Sequence, residues 1–135
     1  MGFATYFASK SRHAPFLGGL VAAGVPLTSD WWSWGPNNER TEPTPEQWRT
    51  HSERCLSQAA SSDIVLLYYE STARQFGSLL EAGACLGAGG YCYLVSDVPL
   101  PFLEHHPHTR RFPDLASAIR SICSQRDASM ARVAA

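Results

Sequence analysis

Residues 63–69 read DIVLLYY, and residues 77–84 read GSLLEAGA. The first segment is a nearly continuous apolar run rich in β-branched and aromatic residues, which is typical of a strand buried on both faces in a parallel sheet. The second is a Gly-Ser turn that leads into a helix of small residues, and we expect Glu81 in the first turn of that helix. In open α/β sheets, ligands bind at the carboxyl ends of the strands. The loop before Glu81 is therefore the predicted site of function.

Length and composition exclude several classes of protein. The chain has 135 residues and a formal net charge of -1, which predicts one domain and no nucleic-acid polymer as partner, because phosphate backbones are usually bound by a basic surplus. There is no run of about 18 apolar residues that would span a membrane. The amino terminus does not read as a signal peptide, and the four cysteines form no CxxC pair. We therefore expect a cytoplasmic protein with reduced thiols and no membrane partner.

Strand and helix patterns alternate along the chain. Strands are predicted at residues 3–8, 25–29, 63–69, 91–95 and, as a short extended piece, 109–112. Helical patterns follow them, the last from Pro113 to about Ser124, whereas residues 30–43 read as a long loop. This alternation predicts an α/β fold with a single doubly wound, mostly parallel sheet in a flavodoxin- or Rossmann-like three-layer sandwich, with strand order 2-1-3-4-5. One domain would cover residues 1–126, with a loose tail at 127–135.

Glu81 has only apolar neighbours in the sequence. A single carboxylate in a shielded pocket can attack the anomeric carbon of a sugar or stabilise an oxocarbenium ion. The alternative is a carboxylate that interacts with the positive end of the helix dipole, which is common in a first helical turn. The residue pattern alone leaves both interpretations open.

The segment around Glu81 resembles the nucleoside 2-deoxyribosyltransferase family. That family has an Asp that opens a strand, then a Gly, three residues, the nucleophilic Glu, one residue and a Gly, which correspond here to Asp63, Gly77, Glu81 and Gly83. Residues 6–12, YFASKSR, are similar to the first strand and loop of the family, where a Tyr lies near the nucleophile. The resemblance covers residues 3–124 apart from the loop at 30–43.

The resemblance implies an enzyme that cleaves an N-glycosidic bond and transfers the (deoxy)ribosyl group to water or to a second base, without a cofactor or a metal. Glu81 would attack C1′, and Tyr6 would hydrogen-bond the carboxylate, unless Tyr6 is simply a core residue. Asp63 would orient the base or the sugar, unless it only caps the turn before its strand. Gly77 and Ser78 are candidate substrate-binding residues.

A nucleoside or nucleotide substrate is implied, and a 5′-phosphate has candidate ligands. Ser9 and Arg12 match the Ser and the Arg that hold the phosphate in the branch of the family that hydrolyses nucleoside monophosphates. Arg74 would add positive charge, unless it is a solvated surface cation. Many deoxyribosyltransferases carry a further Asp where this chain has Gln75. That departure disfavours base exchange between free nucleosides.

Trp31, Trp32 and Trp34 follow the second predicted strand, beside the same edge of the sheet. Trp31 or Trp32 could stack on a base, or could simply pack the loop onto the core. The histidines at 105, 106 and 108 have no supporting Cys or carboxylate spacing, which disfavours a metal site.

The family resemblance also has implications for the partners of the chain, and it leaves other functions open. Family sites are often completed by a neighbouring subunit, so a homodimer or a higher homo-oligomer is expected. Two other functions remain open: an NAD-cleaving domain of the Toll/interleukin-receptor type, which has a Glu at a similar place on its sheet, and a nucleotide-binding module without catalysis.

Overall fold

A parallel sheet forms the centre of the computed structural model, which describes residues 4–9, 13, 15–72 and 75–134. Its strands, in their order across the sheet, are β1 (Thr5–Ala8), β2 (Ile64–Tyr69), β3 (Tyr91–Ser96) and β4 (Thr109–Arg111). Tyr6 pairs with Val65, and Val65 pairs with Cys92. All carboxyl ends therefore lie at one edge, and the predicted α/β fold with a parallel sheet is confirmed.

The predicted second strand at residues 25–29 is reduced to a single bridge between Leu27 and Thr5. The N–H of Thr5 donates to the carbonyl of Pro26 (2.9 Å), and the N–H of Thr28 donates to the carbonyl of Thr5 (2.8 Å). Pro26 has no N–H with which to extend the ladder. The segment nevertheless lies on the outer side of β1, as the predicted order 2-1-3-4-5 requires.

Helices connect the strands and cover the sheet. They are α1 (Phe16–Ala22), α2 (Gly35–Glu39), α3 (Pro45–Ala60), α4 (Phe76–Gly87), α5 (Pro101–Glu104) and α6 (Leu115–Ala134). Residues 30–43, expected as a loop, contain α2 and a 3-10 turn at Trp31–Ser33. Helix α3 begins directly after that segment, where Thr44 and Gln47 form a reciprocal capping box.

The last helix is longer than predicted. It runs to Ala134 and thus through most of the segment expected as a loose tail. No Gly or Pro occurs between residues 115 and 134, so nothing in the sequence forces the helix to end near Ser124. The division into a domain at 1–126 and a tail at 127–135 stays a prediction.

Strand β2 is buried on both faces, since Ile64, Val65, Leu66 and Leu67 are each no more than 1% exposed. Helix α4 packs against β1, β2, β3 and α3, and α6 packs against β3. Within the described part of the chain, no helix combines the length and apolar character needed to cross a membrane.

Gly90 lies where the end of α4 meets the start of β3. A Cβ atom there would lie 2.5 Å from Sγ of Cys85 and 3.1 Å from the carbonyl oxygens of Asp63 and Cys85. We expect Gly90→Ala to lower the free energy of unfolding by about 1–3 kcal/mol, because the two carbonyl groups cannot move freely. Denaturant unfolding measures the change.

The matched control is Gly18→Ala in α1, where no atom lies within 4 Å of an added Cβ. This variant should gain up to about 1 kcal/mol of stability, since Ala is the better helix former. Equal effects of the two substitutions would contradict the close packing at Gly90.

Candidate active site

The carboxyl group of Glu81 meets the hydroxyl group of Tyr6 where α4 packs against β1. Tyr6 is fully buried, and its hydroxyl donates a hydrogen bond to Oε2 of Glu81. The helix begins at Phe76, so Glu81 lies in its second turn, and the expected position in the first turn is wrong. The helix dipole acts mainly within the first turn, so it does not account for this residue.

Burial changes the titration of Glu81, which is only 8% exposed. The loss of solvation raises the pKa of its carboxyl group from 4.5 to about 8, because the charged form loses more from leaving water than the neutral form does. The Tyr6 hydroxyl acts in the opposite direction, since a donor to the charged form stabilises it. Glu81 can therefore change its charge close to neutral pH.

Glu81 faces a cavity of about 440 Å³ at the carboxyl edge of the sheet. One wall of this cavity is polar and comes from the segment after β1 and the start of α4. It consists of Ser9, Gln75, Gly77, Ser78 and Glu81. The structure thus brings the sequence-predicted residues Ser9, Gly77, Ser78 and Glu81 together in one wall. The side chain of Tyr6 contacts Glu81.

The second wall is aromatic and comes from residues 31–34 and α3. It is lined by Trp31, Trp34, Trp48 and His51, with Ser52, Cys55 and Leu56. The rings of Trp34 and His51 stack with centroids 3.8 Å apart and planes at 3°, and Trp48 lies 4.9 Å from Trp34. Burial lowers the pKa of His51, which favours the neutral ring. Such a flat surface suits an aromatic ring of a ligand.

The tryptophans predicted to stack on a base occupy different positions. Trp31 lines the cavity, but it is 7% exposed and its indole N–H donates to the carbonyl of Phe7 (2.6 Å). Trp32 packs edge-on against Trp31 and does not line the cavity. Trp48, which follows Thr44 in α3, is 51% exposed. The spacing of seven residues places Trp48 on the same face of the helix as Cys55. Such spacing does not show whether that face packs in the core or lines a cavity.

Gln75 holds the loop between β2 and α4. It is 3% exposed, its Oε1 accepts from the N–H of Glu70 (2.7 Å), and its Nε2 donates to the carbonyl of Tyr68 (2.9 Å). An amide does not ionise. Gln75 occupies the position where the family resemblance leads one to expect an Asp. This position therefore supplies no proton to a ligand.

Asp63, another sequence-predicted residue, does not line the cavity. Asp63 precedes β2, at the amino end of the strand, and its carboxylate accepts from the N–H of Ala4 (2.9 Å). This contact fits the interpretation of Asp63 as a strand-start residue. Arg12 and Arg74 lie outside the described residues.

No sequence signal points to His13, which connects the cavity wall to the loop after β2. It is 4% exposed and hydrogen-bonds both Ser9 and Glu70. Its partner Glu70 is 57 residues away in the sequence, so no local pattern reveals the pair. No group of three or more His, Cys, Asp or Glu side chains in the described ranges could hold a metal ion.

Comparison with known proteins identifies the fold. No family model matches the chain, and no curated protein sequence matches it significantly. The 2-deoxyribosyltransferase of Bacillus psychrosaccharolyticus matches with a TM-score of 0.64 and 16% identity over 86% of this chain and 90% of that chain. The CMP N-glycosidase of Clostridium botulinum matches with a TM-score of 0.56 and 11% identity over 88% of this chain and 97% of that chain. The chain has the fold of these two enzymes, as the motif resemblance implied.

The buried carboxyl group predicts a pH-dependent stability. The folded-state pKa of about 8 exceeds the reference value of 4.5, so between these values the folded protein binds more protons than the unfolded chain, and stability falls as the pH rises. Glu81→Gln keeps the size of the side chain and removes this titration. We expect the free energy of unfolding of the variant to exceed that of the native protein by up to about 5 kcal/mol above pH 8.

Denaturant unfolding across this pH range measures the difference. Glu53→Gln, at an exposed position of α3, is the control and should follow the native profile. Parallel pH profiles of the native protein and Glu81→Gln would contradict the raised pKa.

Proposed function

We propose that the protein cleaves the N-glycosidic bond of a nucleoside or a nucleoside 5′-monophosphate, with Glu81 as nucleophile. The observation that carries the proposal is a buried carboxyl group that accepts a hydrogen bond from Tyr6 and faces a cavity with a polar and an aromatic wall. The activities named for the structural neighbours, a 2-deoxyribosyltransferase and a CMP N-glycosidase, support it.

The reaction has two steps. An oxygen of the Glu81 carboxylate bonds to C1′ while the bond from C1′ to the base nitrogen breaks. The base leaves with the bonding electron pair and takes up a proton, for which Gln75 is not the source. Water or the nitrogen of a second base then attacks C1′, loses a proton and releases the carboxylate. The proton that the base takes up in the first step is matched by the proton that the acceptor loses in the second, and no atom changes its oxidation state. The reaction as written therefore uses no cofactor.

The two walls of the cavity would contact different parts of the substrate. The base would stack on the aromatic wall formed by Trp34, Trp48 and His51, since every base offers a π-face. The sugar would then lie over the polar wall, with C1′ at Glu81. Gly77 and Ser78, in the first turn of α4, would contact the sugar or its substituent.

The raised pKa of Glu81 favours one second candidate, a nucleotide-binding module without catalysis, because a protonated carboxyl group is not a nucleophile. A panel of nucleosides, nucleoside monophosphates and NAD, analysed by chromatography for free base, separates the two functions. The enzyme should release base from at least one compound, and Glu81→Gln should lose this activity while it keeps ligand affinity. Release from NAD alone would favour the NAD-cleaving alternative, and no release from any compound would leave the binding module.

The pH dependence of the reaction gives a sharper test of Glu81. Only the carboxylate attacks C1′, so kcat/KM should rise with pH and level off above the pKa of about 8. Tyr6→Phe removes the donor that stabilises the carboxylate, so the rise should move to higher pH, with a loss of about 10- to 100-fold at neutral pH. Tyr91→Phe, at a 44% exposed position, is the control. An unchanged pH profile in Tyr6→Phe would exclude its role in tuning Glu81.

We also propose that the protein acts as a homo-oligomer. Phe76 and Leu80 lie one turn apart on α4 and are 70% and 63% exposed, and Leu80 lines the cavity. A second copy of the chain would cover these apolar side chains beside the site.

Sedimentation should therefore show the native protein as a dimer or larger, and Phe76→Glu should dissociate it and lower kcat/KM. Val21→Glu, at a 64% exposed position of α1, should leave both unchanged. A native protein that sediments as a monomer at the concentration of the activity assay would exclude the oligomer.

A further inference from the structure

The aromatic wall of the cavity concentrates electron-rich rings. Three of the four tryptophans of the chain line the cavity: Trp31, Trp34 and Trp48. The ring of Trp48 is half-exposed, and its centroid lies 4.9 Å from that of Trp34. Of the aromatic side chains, indole attracts a cation over its face most strongly. This wall would therefore hold a positively charged ring more tightly than a neutral ring of the same size.

Two hydrogen-bond donors on the aromatic wall are already used within the protein. The indole N–H of Trp31 donates to the carbonyl of Phe7 (2.6 Å), and the hydroxyl group of Ser52 donates to the carbonyl of Arg49 (3.0 Å). In this arrangement neither donor is left to bind the edge of a neutral base. Recognition of a base at this wall therefore depends more on ring faces than on these two donors.

The charges around the cavity favour a cation beside the aromatic wall. The described residues that line the cavity include no Lys or Arg, and Arg54 of α3 is paired with Asp30 outside the lining. Burial lowers the pKa of His51, so its ring is mainly neutral at neutral pH. The other wall contains Glu81, which can become negative. An opposite charge on the ligand would be attracted to that carboxylate.

Apart from Glu81, the described residues of the cavity lining include no acid for a leaving base. Gln75 does not ionise, burial raises the pKa of Cys55 to about 11, and His51 is mainly neutral. A neutral base needs a proton when it leaves C1′, and a general acid contributes about 10²- to 10⁴-fold to such a step. A base that already carries a positive charge needs no proton, because it takes the bonding electron pair and leaves as a neutral molecule.

We propose that the substrate carries a cationic base, a pyridinium or an N-alkylated purinium ring, joined to C1′ through a ring nitrogen that shares the positive charge. This inference rests on the proposed function and names its substrate class. An oxygen of the Glu81 carboxylate bonds to C1′, the bond from C1′ to the ring nitrogen breaks, and its electron pair neutralises the ring. Water then attacks C1′, loses a proton to the solvent and releases the carboxylate.

The positive charge would assist the first step in two ways. The step removes two opposite charges, which is favoured where water solvates them poorly. The carboxyl group of Glu81 has a pKa of about 8 because it is buried, and a cation in the cavity would lower that pKa, since an opposite charge stabilises the carboxylate. The substrate would thus promote the ionisation that its own cleavage needs, whereas a neutral nucleoside would not.

Binding to the Glu81→Gln variant, measured by isothermal titration calorimetry, tests the aromatic wall without turnover. Each cation is paired with an uncharged carbon analogue of nearly the same shape: nicotinamide riboside with benzamide riboside, and 7-methyladenosine with 7-deaza-7-methyladenosine. All four are used as nucleosides and as 5′-monophosphates. We expect at least one cation to bind about 10-fold more tightly than its analogue, through its attraction to the indole faces. The pair that shows the preference distinguishes a pyridinium from a purinium substrate.

Variants of Trp48 test the source of the preference. Trp48→Leu should reduce the ratio of the two affinities by about 3- to 10-fold, and Trp48→Phe, which keeps a less attractive ring, should give an intermediate ratio and is the variant to use if Trp48→Leu fails to fold. A purely structural role of Trp48 would weaken both ligands of a pair equally. Phe102→Leu, at a fully exposed position outside this cavity, is the control and should leave the ratio unchanged.

Turnover by the native protein gives an independent test. The kcat/KM for the preferred cation should exceed that for adenosine and for cytidine by about 100-fold or more, because a neutral base lacks its acid. Equal or faster release of base from the neutral nucleosides overturns the inference, as does the absence of any preference for a cation in binding or an equal loss for both ligands of a pair in Trp48→Leu.

The two proposals can fail separately. If a cation is preferred in binding but the native protein releases no base from any compound, the proposed reaction fails and the cation site stands. If base is released from neutral and cationic nucleosides alike, the reaction stands and the inference fails.

Discussion

The hydrogen bond from Tyr6 to Glu81 places an ionisable group in a site that water barely reaches. A buried carboxyl group needs a donor, because an unpaired polar group out of water costs free energy. Tyr6 can provide that donor in a fixed position, since β1 is fully buried and is held by its pairing with β2. Helix α4 packs across β1, β2 and β3 and so fixes the other partner. The position of Glu81 is thus set by the sheet as a whole.

The cavity is built from segments that rigid contacts hold in place. Gln75 hydrogen-bonds the backbone of Tyr68 in β2 and of Glu70 just after it, and His13 joins Glu70 to Ser9. On the other side, Trp34 lies flat against His51 of α3. Contacts within the protein therefore hold both walls in place.

The burial that raises the pKa of Glu81 also lowers the stability of the ionised protein. Ionising Glu81 inside the fold is unfavourable, as its pKa of about 8 indicates. The continuous apolar core on both faces of β2 opposes this cost. A less buried carboxyl group would ionise more easily and would lower the stability less.

The local sequence predicted the main strands and helices and singled out Glu81. Apolar runs predicted β2 and β3, and the motif around Glu81 singled out Glu81 and Tyr6, because such patterns depend on neighbours along the chain. Only the tertiary structure decided that Trp48 lines a cavity, that Asp63 lies away from it, and that His13 hydrogen-bonds Ser9. These depend on contacts across tens of residues, such as the 75 that separate Tyr6 from Glu81, and no local pattern encodes which side chains such contacts bring together.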